Sequence, residues 1–305
     1  MTSALRGVRV LDAATLYPAP LLAAMLADLG ADVVKIEGPS GDPLRAMGDA
    51  PWRVAARAKR SVCADLETAD GVALLQRLSN VADVIVLNQP KAVLERWGCT
   101  DDEIAGRNPR AVIVHVSAFG ATGPYADRVG NGSLAEAFVG LDAGRVPTGD
   151  TLGALAGVVG TLAALYERDT SSSRGRVVDV SLYEALLPLL GPALAGATTP
   201  RSVRDAFVAA DERVVMIAAT TDAQIARLQG TAGDAVAEWV RDRSADDVIA
   251  EMTDARVPAV IVNALDDLRA DPQVVARNSI GPLRRPPSLG EHTDEVVEEW
   301  LGGSQ

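Results

Sequence analysis

The sequence predicts an α/β fold: a large domain with a doubly wound, mostly parallel sheet, followed by a smaller α+β domain. Two observations carry this reading. In the first half, short Val- and Ile-rich runs alternate with stretches of helical period, as in a parallel sheet covered on both faces. In the second half, two apolar runs meet at Asp211-Glu212 as in a hairpin, and helical segments follow.

The elements follow in order. "GVRVLDAA" reads as a buried strand, and "APLLAAMLADLG" as a helix closed by Gly30. "ADVVKIE" and "RSVCADL" are strands, "ADGVALLQRLSNV" is a helix, and "DVIVLNQ" is a strand. "KAVLERWG" is a short helix, "AVIVHVSAFG" a strand and "SLAEAFVGLDAG" a helix. The pattern breaks into small residues and prolines at "GPALAGATTPRS", which reads as a linker. The hairpin "RDAFVAADERVVMIAA" comes next, then helices from "DAQIARLQG" to "ADDVIAEMTDA", then the strand "PAVIVNAL". The tail is polar and ends in a short amphipathic helix. These breaks place a large domain at 1–190, a linker at 191–204, a small domain at 205–270 and a C-terminal return segment at 271–305.

Composition narrows the function. A net charge of −12 argues against nucleic acid or an anionic membrane as partner, since both attract basic patches. An anionic small molecule needs a local positive pocket working against the overall field. No apolar run of roughly 18 or more residues is uninterrupted, so no membrane span is expected. The start has no apolar signal segment, so a cytoplasmic location is expected. Cys63 and Cys99 make no disulfide or metal pattern and read as packing thiols. With only His115 and His292, a His-rich metal site is excluded. No GxGxxG follows the first strand, where "AATLYPAP" stands instead, so a nicotinamide dehydrogenase is poorly supported.

One carboxylate stands out. Asp150 sits at the mouth of the long, almost chargeless helix "VPTGDTLGALAGVVGTLAALYERD". It fits a plain N-cap, with apolar spacing at Leu152, Leu155, Val158, Val159 and Leu162. The same place suits a nucleophile: a helix N-terminus keeps a carboxylate ionised and offers N–H donors to an oxyanion. Gly149, Gly153 and Gly157 leave room for close packing or for a ligand. Capping and reaction are compatible in one residue.

Several blocks together resemble one known family. They are "LADLGADVVKIE", "KRSVCADLETADG", "NPRAVIVHVSAFGATGPY", "SRGRVVDVSL" and "LGEHTDEV", in order along nearly the whole chain. The sequence resembles the family III CoA-transferases, the group of formyl-CoA and carnitine CoA-transferases that also includes α-methylacyl-CoA racemase. The resemblance implies a Rossmann-like large domain plus a small one, in a homodimer of two chains threaded as interlocked rings. It also implies coenzyme A and acyl-CoA as substrates, a carboxylic acid as the second partner, and no permanently bound cofactor. Transferase members use an aspartate in a "GD" context, ten residues before a "GxLAAL" segment. Asp150 stands in that relation to Gly160–Leu165, so the resemblance implies that it is the nucleophile.

The remaining site residues carry over by motif. Leu16 and Tyr17 match the loop that packs on the pantetheine. Asn88 matches an asparagine that approaches coenzyme A, and Arg96 an arginine near its phosphates, although by itself Arg96 reads as a solvated helix charge. Lys59 and Arg60 stand where the family is basic, or form a plain surface pair. Ser117, Phe119 and Gly120 follow a strand, at the sheet end where open α/β folds bind ligands. Asn131, Gly149 and Gly153 complete the expected contacts. His115 reads as a packed neutral histidine, and His292 as structural, near the dimer contact.

Three departures bear on activity. Gly38 replaces basic character after "KIE". Gly130-Asn131-Gly132 stands where racemases carry "GHD", and neither Asn131 nor Gly132 moves a proton at neutral pH, which weakens a racemase or isomerase reading. The stretch from Pro188 to Phe207 is short, and a glycine-rich covering loop is missing. A non-catalytic CoA-binding protein of the same fold is the third alternative.

Overall fold

The computed structural model describes residues 3–141, 146–196, 202–281 and 284–302. It divides into two compact units, one of residues 1–191 and 283–305, the other of 192–282.

The first unit is built on six parallel strands: β1 (Arg9–Asp12), β2 (Asp32–Glu37), β3 (Arg60–Cys63), β4 (Val84–Leu87), β5 (Val112–Ser117) and β6 (Val177–Ser181). Their order is β3-β2-β1-β4-β5-β6, so the chain reverses direction across the sheet between β1 and β4. Open parallel sheets bind ligands at such a reversal, outside the carboxyl ends of the strands.

Period-two alternation sends neighbouring residues to opposite faces. Val10, Val84, Val112 and Val114 pack under the helices α1 (Pro18–Asp28) and α7 (Thr148–Glu167). Leu11, Ile85, Leu87 and Ile113 face the other layer. That layer contains α3 (Ala69–Val81), α4 (Lys91–Trp97) and α5 (Asp101–Arg107). The expected doubly wound, Rossmann-like sheet is therefore present. Local chemistry starts these helices: prolines in the first turn of α1, a Thr68 cap on α3, and a Thr100/Glu103 capping box on α5. The shorter α2 (Asp49–Ala55) and α6 (Gly132–Phe138) precede β3 and α7. Several elements escaped the sequence reading, among them α2 and α5, and "RVVDVSLYEALLPLL" forms β6 and then α8 (Leu182–Leu194) without a turn between them.

Strand β3 is a sheet edge, and the C-terminal segment covers it. The His292 amide donates to the Ser61 carbonyl at 2.9 Å, and the Cys63 amide to Thr293 Oγ1 at 3.1 Å. His292 Nδ1 accepts from the Ser61 amide at 3.3 Å, so His292 does have a structural role here. Covering the edge removes a template for pairing with other chains. Trp300 and Val296 then seal the core beside α3.

The second unit is α+β. Strands β7 (Val203–Val208), β8 (Val214–Ala219) and β9 (Ala259–Ile261) form an antiparallel sheet. The expected hairpin is β7–β8, turning through Asp211-Glu212. The helices α9 (Asp222–Ala232), α10 (Val236–Arg241) and α11 (Ala245–Asp254) bury Leu228, Val240, Val248 and Met252 against it. Two short helices, α12 (Leu265–Ala270) and α13 (Pro272–Ala276), end this unit, and α14 (Thr293–Val296) belongs to the first.

Candidate functional site

The site grows from the loop after β1. Asn88, just beyond β4, clamps it from across the chain reversal: its Oδ1 accepts from the Thr15 amide at 2.9 Å and its Nδ2 donates to the Thr15 carbonyl at 2.8 Å. Leu16 next to it is left-handed (φ 66°), a conformation that costs a branched side chain. Its amide donates to Asp42 Oδ1 at 3.1 Å, which holds the loop in that shape. Leu16 remains exposed, and Tyr17 opens α1 half-buried. Beside this loop, Thr15, Gly38, Gly41, Leu66, Gln89 and Trp97 line a small pocket.

Four buried charges underlie the loop. Lys59 Nζ lies 2.6 Å from Asp12 Oδ2, and Lys35 Nζ lies 2.8 Å from Asp42 Oδ2. Lys35 also donates to the Ala14 carbonyl, and Lys59 to the Pro20 carbonyl. Two cations and two anions thus neutralise one another, as burial requires. Burial alone would raise the Asp12 carboxyl, but Lys35 and Lys59 outweigh it and hold that group below the usual range. For Lys59 burial dominates and pulls the ammonium down to about 8, against the attraction of Asp12. Lys59, expected at the surface within reach of coenzyme A, is therefore an interior strut: its side chain is 0% exposed. Its neighbour Arg60 is held by Asp32, Glu295 and Glu299.

Asp150 lies in the first turn of α7, but it does not cap the helix. The cap position is Pro147, and the side chain that accepts from the first turn comes from α6: Glu136 Oε1 takes the Gly149 amide at 2.7 Å. The Thr148 and Thr151 amides bond to the carbonyls of Val146 and Pro147. Among the described residues, only the Asp150 amide of that turn keeps a free N–H. The expected array of open donors is thus reduced to one, because the turn satisfies itself. Asp150 Oδ1 is buried with no hydrogen-bond partner among the described residues. Burial pushes its carboxyl above the usual range, Glu136 adds to this, and the Gly132 amide opposes it. The helix end does not lower this carboxyl as expected: desolvation outweighs it, and the pKa lies above the ordinary aspartate value. Tyr17 is close enough that burial, then the Asp150 charge, raises its phenol.

The glycines of α7 serve packing. A Cβ on Gly153 would meet Leu182 Cδ2 at 2.2 Å, and one on Gly157 would meet Leu22 Cδ1 at 2.1 Å. Gly149 faces the Gly132 carbonyl and Glu136 in the same way. The space beside Gly149 and Gly153 is filled by protein, not left for substrate.

The other expected residues scatter. Ser117 Oγ accepts the Gly120 amide at 2.9 Å, shaping the turn after β5. Asn131 caps α6 by accepting the Leu134 amide. Phe119 joins Phe138, Tyr125 and Tyr183 in an edge-to-face aromatic cluster, with Phe138 51% exposed. Arg96 lies on α4, exposed and 3.3 Å from Glu67. His115 is not a lone packed histidine, since its Nε2 lies 2.5 Å from Asp101 Oδ1. Cys99 is buried, and burial raises its thiol to about 11, which suits a packing role.

Glu136, Lys35 and Asp42 were missed by sequence reasoning. The one available signal for Glu136 was a charge within "SLAEAF", four residues after Gly132 and hence on the same helix face.

Comparison with known proteins is consistent along the chain. The profile of CoA-transferase family III matches residues 5–235. A succinyl-CoA–D-citramalate CoA-transferase of Chloroflexus aurantiacus is 30% identical over 376 residues, covering 97% of this chain and 93% of that one. That alignment exceeds the residues this chain contributes by about 80 positions, so the relative carries about that much additional sequence within the aligned span. A formyl-CoA:oxalate CoA-transferase of Streptomyces avermitilis is 36% identical over 207 residues, 62% of this chain and 50% of that one. The crystal structure of a CAIB/BAIF family protein from Brucella suis superimposes with a TM-score of 0.85 at 25% identity, covering 98% of this chain and all of that one.

Proposed function

The chain belongs to CoA-transferase family III, and on that premise we propose that it moves coenzyme A from an acyl-CoA to a carboxylic acid through Asp150. The observation that carries this is the buried Oδ1 of Asp150, without a hydrogen-bond partner among the described residues, in the first turn of α7 and near the loop of Tyr17. A desolvated carboxylate is more basic and more nucleophilic than a solvated one.

In the proposed sequence, an Asp150 oxygen attacks the thioester carbonyl and expels CoA thiolate, leaving an acyl-aspartyl anhydride. The thiolate attacks the aspartyl carbonyl, the donor acid departs, and an aspartyl-CoA thioester remains. The acceptor carboxylate attacks this thioester and releases the thiolate again. Attack of the thiolate on the acceptor's carbonyl forms the new acyl-CoA and frees Asp150. Each activated bond is exchanged for another, so no external energy source enters. The Asp150 amide is placed to stabilise a nearby oxyanion.

Coenzyme A is substrate and not a resident cofactor, and it would lie along the loop of Leu16 and Tyr17. The relatives named for succinyl-CoA support succinyl-CoA as the first donor to try. Dicarboxylic acids are the first acceptors. We also place the protein in the cytoplasm, as a homodimer. The outer stripe of α7 supports a dimer: Leu155, Val159 and Tyr166 are exposed at helical spacing, while Val158, Thr161 and Leu165 of the same helix are buried.

The test is exchange of CoA from succinyl-CoA to L-malate, D-citramalate, glutarate or oxalate, read by mass spectrometry. Hydroxylamine during turnover should convert Asp150 to its hydroxamate. Full activity of Asp150→Ala would end the mechanism. Binding of CoA in calorimetry without exchange for any pair would favour a non-catalytic protein.

A further inference from the structure

Glu136 is an unusual residue for its surroundings. It is 3% exposed, and no cation pairs with it among the described residues. Its one hydrogen bond among them is the 2.7 Å contact from the Gly149 amide. A buried carboxylate without a counter-charge is costly, and a fold keeps one where it has a task. Glu136 lies one helical turn beyond Gly132 on α6. Those two positions grip two successive residues of α7: Gly132 borders the Asp150 carboxylate, and Glu136 holds Gly149.

We propose that Glu136 is a positioning residue for Asp150, fixing the first turn of α7 through Gly149 and keeping a second negative charge beside the reacting carboxyl. This role rests on Asp150 being the nucleophile. The hydrogen bond sets where the carboxylate points. The like charge makes ionised Asp150 less stable and so more reactive toward an acyl carbon. Other groups near α7 contribute less directly. Tyr17, ahead of α1, feels the charges of both Asp150 and Arg57. Asp179 of β6 accepts the Ala121 amide, and His115 of β5 is taken by Asp101.

Three variants test the proposal. E136Q keeps an acceptor for the Gly149 amide but removes the charge, E136A removes both, and D150N removes the nucleophile. Coupling of Asp150 to a water-soluble carbodiimide needs the protonated carboxyl. Its rate against pH, read by peptide mass spectrometry, therefore reports that group without any acyl substrate. In E136Q the profile should move to lower pH by about one unit, as expected for removing a neighbouring like charge. In parallel, the acid limb of kcat/KM for succinyl-CoA should move the same way. E136A should also lower kcat about 10- to 100-fold with little change in KM, the loss expected from a misplaced reacting group. An unmoved profile in E136Q overturns the role of Glu136, even where D150N is inactive and the nucleophile stands. An active D150N removes the nucleophile itself, whatever Glu136 does to the carboxyl.

Discussion

A Cβ placed on Gly132 would lie 2.3 Å from Asp150 Oδ1, so the carboxylate occupies the volume that any side chain at position 132 would need. The absence of a side chain on α6 is what allows the acid of α7 to sit where it does. Gly132→Ala should therefore displace the carboxylate while leaving the sheet intact. The expected result is a kcat lowered on the order of 100-fold, with a melting temperature within a few degrees of wild type. Steady-state kinetics beside thermal unfolding would decide it, and wild-type kcat in this variant would show that the carboxylate's position is irrelevant.

The Asp150 carboxyl also predicts a dependence of stability on pH. Its pKa is raised in the folded protein, mainly by burial. The folded state therefore binds the proton more tightly than the unfolded chain does. The associated stability is present below the ordinary aspartate range and is lost as pH rises through the raised value. Asp150→Asn removes the ionising group. Its melting temperature should exceed that of wild type at pH 7, and the difference should vanish on acidification below about 3.8, the reference value. A wild-type protein more stable than D150N at pH 7 would contradict the desolvation argument.

Among the described residues, the Asn88 side chain makes both of its hydrogen bonds to the backbone of Thr15. Losing two such bonds, at roughly 1 kcal/mol each, should loosen the loop that carries Leu16 and Tyr17. We expect Asn88→Ala to raise KM for the acyl-CoA about tenfold, with a smaller effect on kcat. An unchanged KM would separate that loop from coenzyme A.

Lys59 tests the interior charges. Replacing it with Met leaves Asp12 with the Ala14 amide and, as its cation, the more distant Lys35 at 3.7 Å. Breaking a buried pair this way costs about 3–5 kcal/mol. Urea unfolding of Lys59→Met should show a midpoint lowered accordingly, whereas Arg96→Met on the exposed face of α4 should change it by no more than about 0.5 kcal/mol. Equal, small effects would return Lys59 to the surface role first expected of it.

How much of this was legible in advance differs by element. Strands such as "DVIVLNQ" were readable because a buried parallel strand is apolar throughout. The helix "ADGVALLQRLSNV" was readable to the residue because Thr68 caps it. The pair β6–α8 was not, since "SLYEALL" has no glycine, proline or gap to mark where extended backbone becomes helix. At the site, Asp150 stood out through its glycine-flanked place before an apolar helix. Lys59 misled because a lysine beside an arginine looks the same at a surface as in a buried ion pair.

The sequence alone determined the parallel α/β scaffold, the helix that presents Asp150 and the family, because these rest on periodicity and on motifs contiguous along the chain. Only the tertiary structure decided what surrounds that acid. Glu136 and Gly132 reach it from another helix, and four charges converge from segments as far apart as Asp12 and Lys59. Burial, which raises the Asp150 carboxyl and lowers the Lys59 ammonium, is a property of packed neighbours, and no local pattern encodes how deep a side chain will lie.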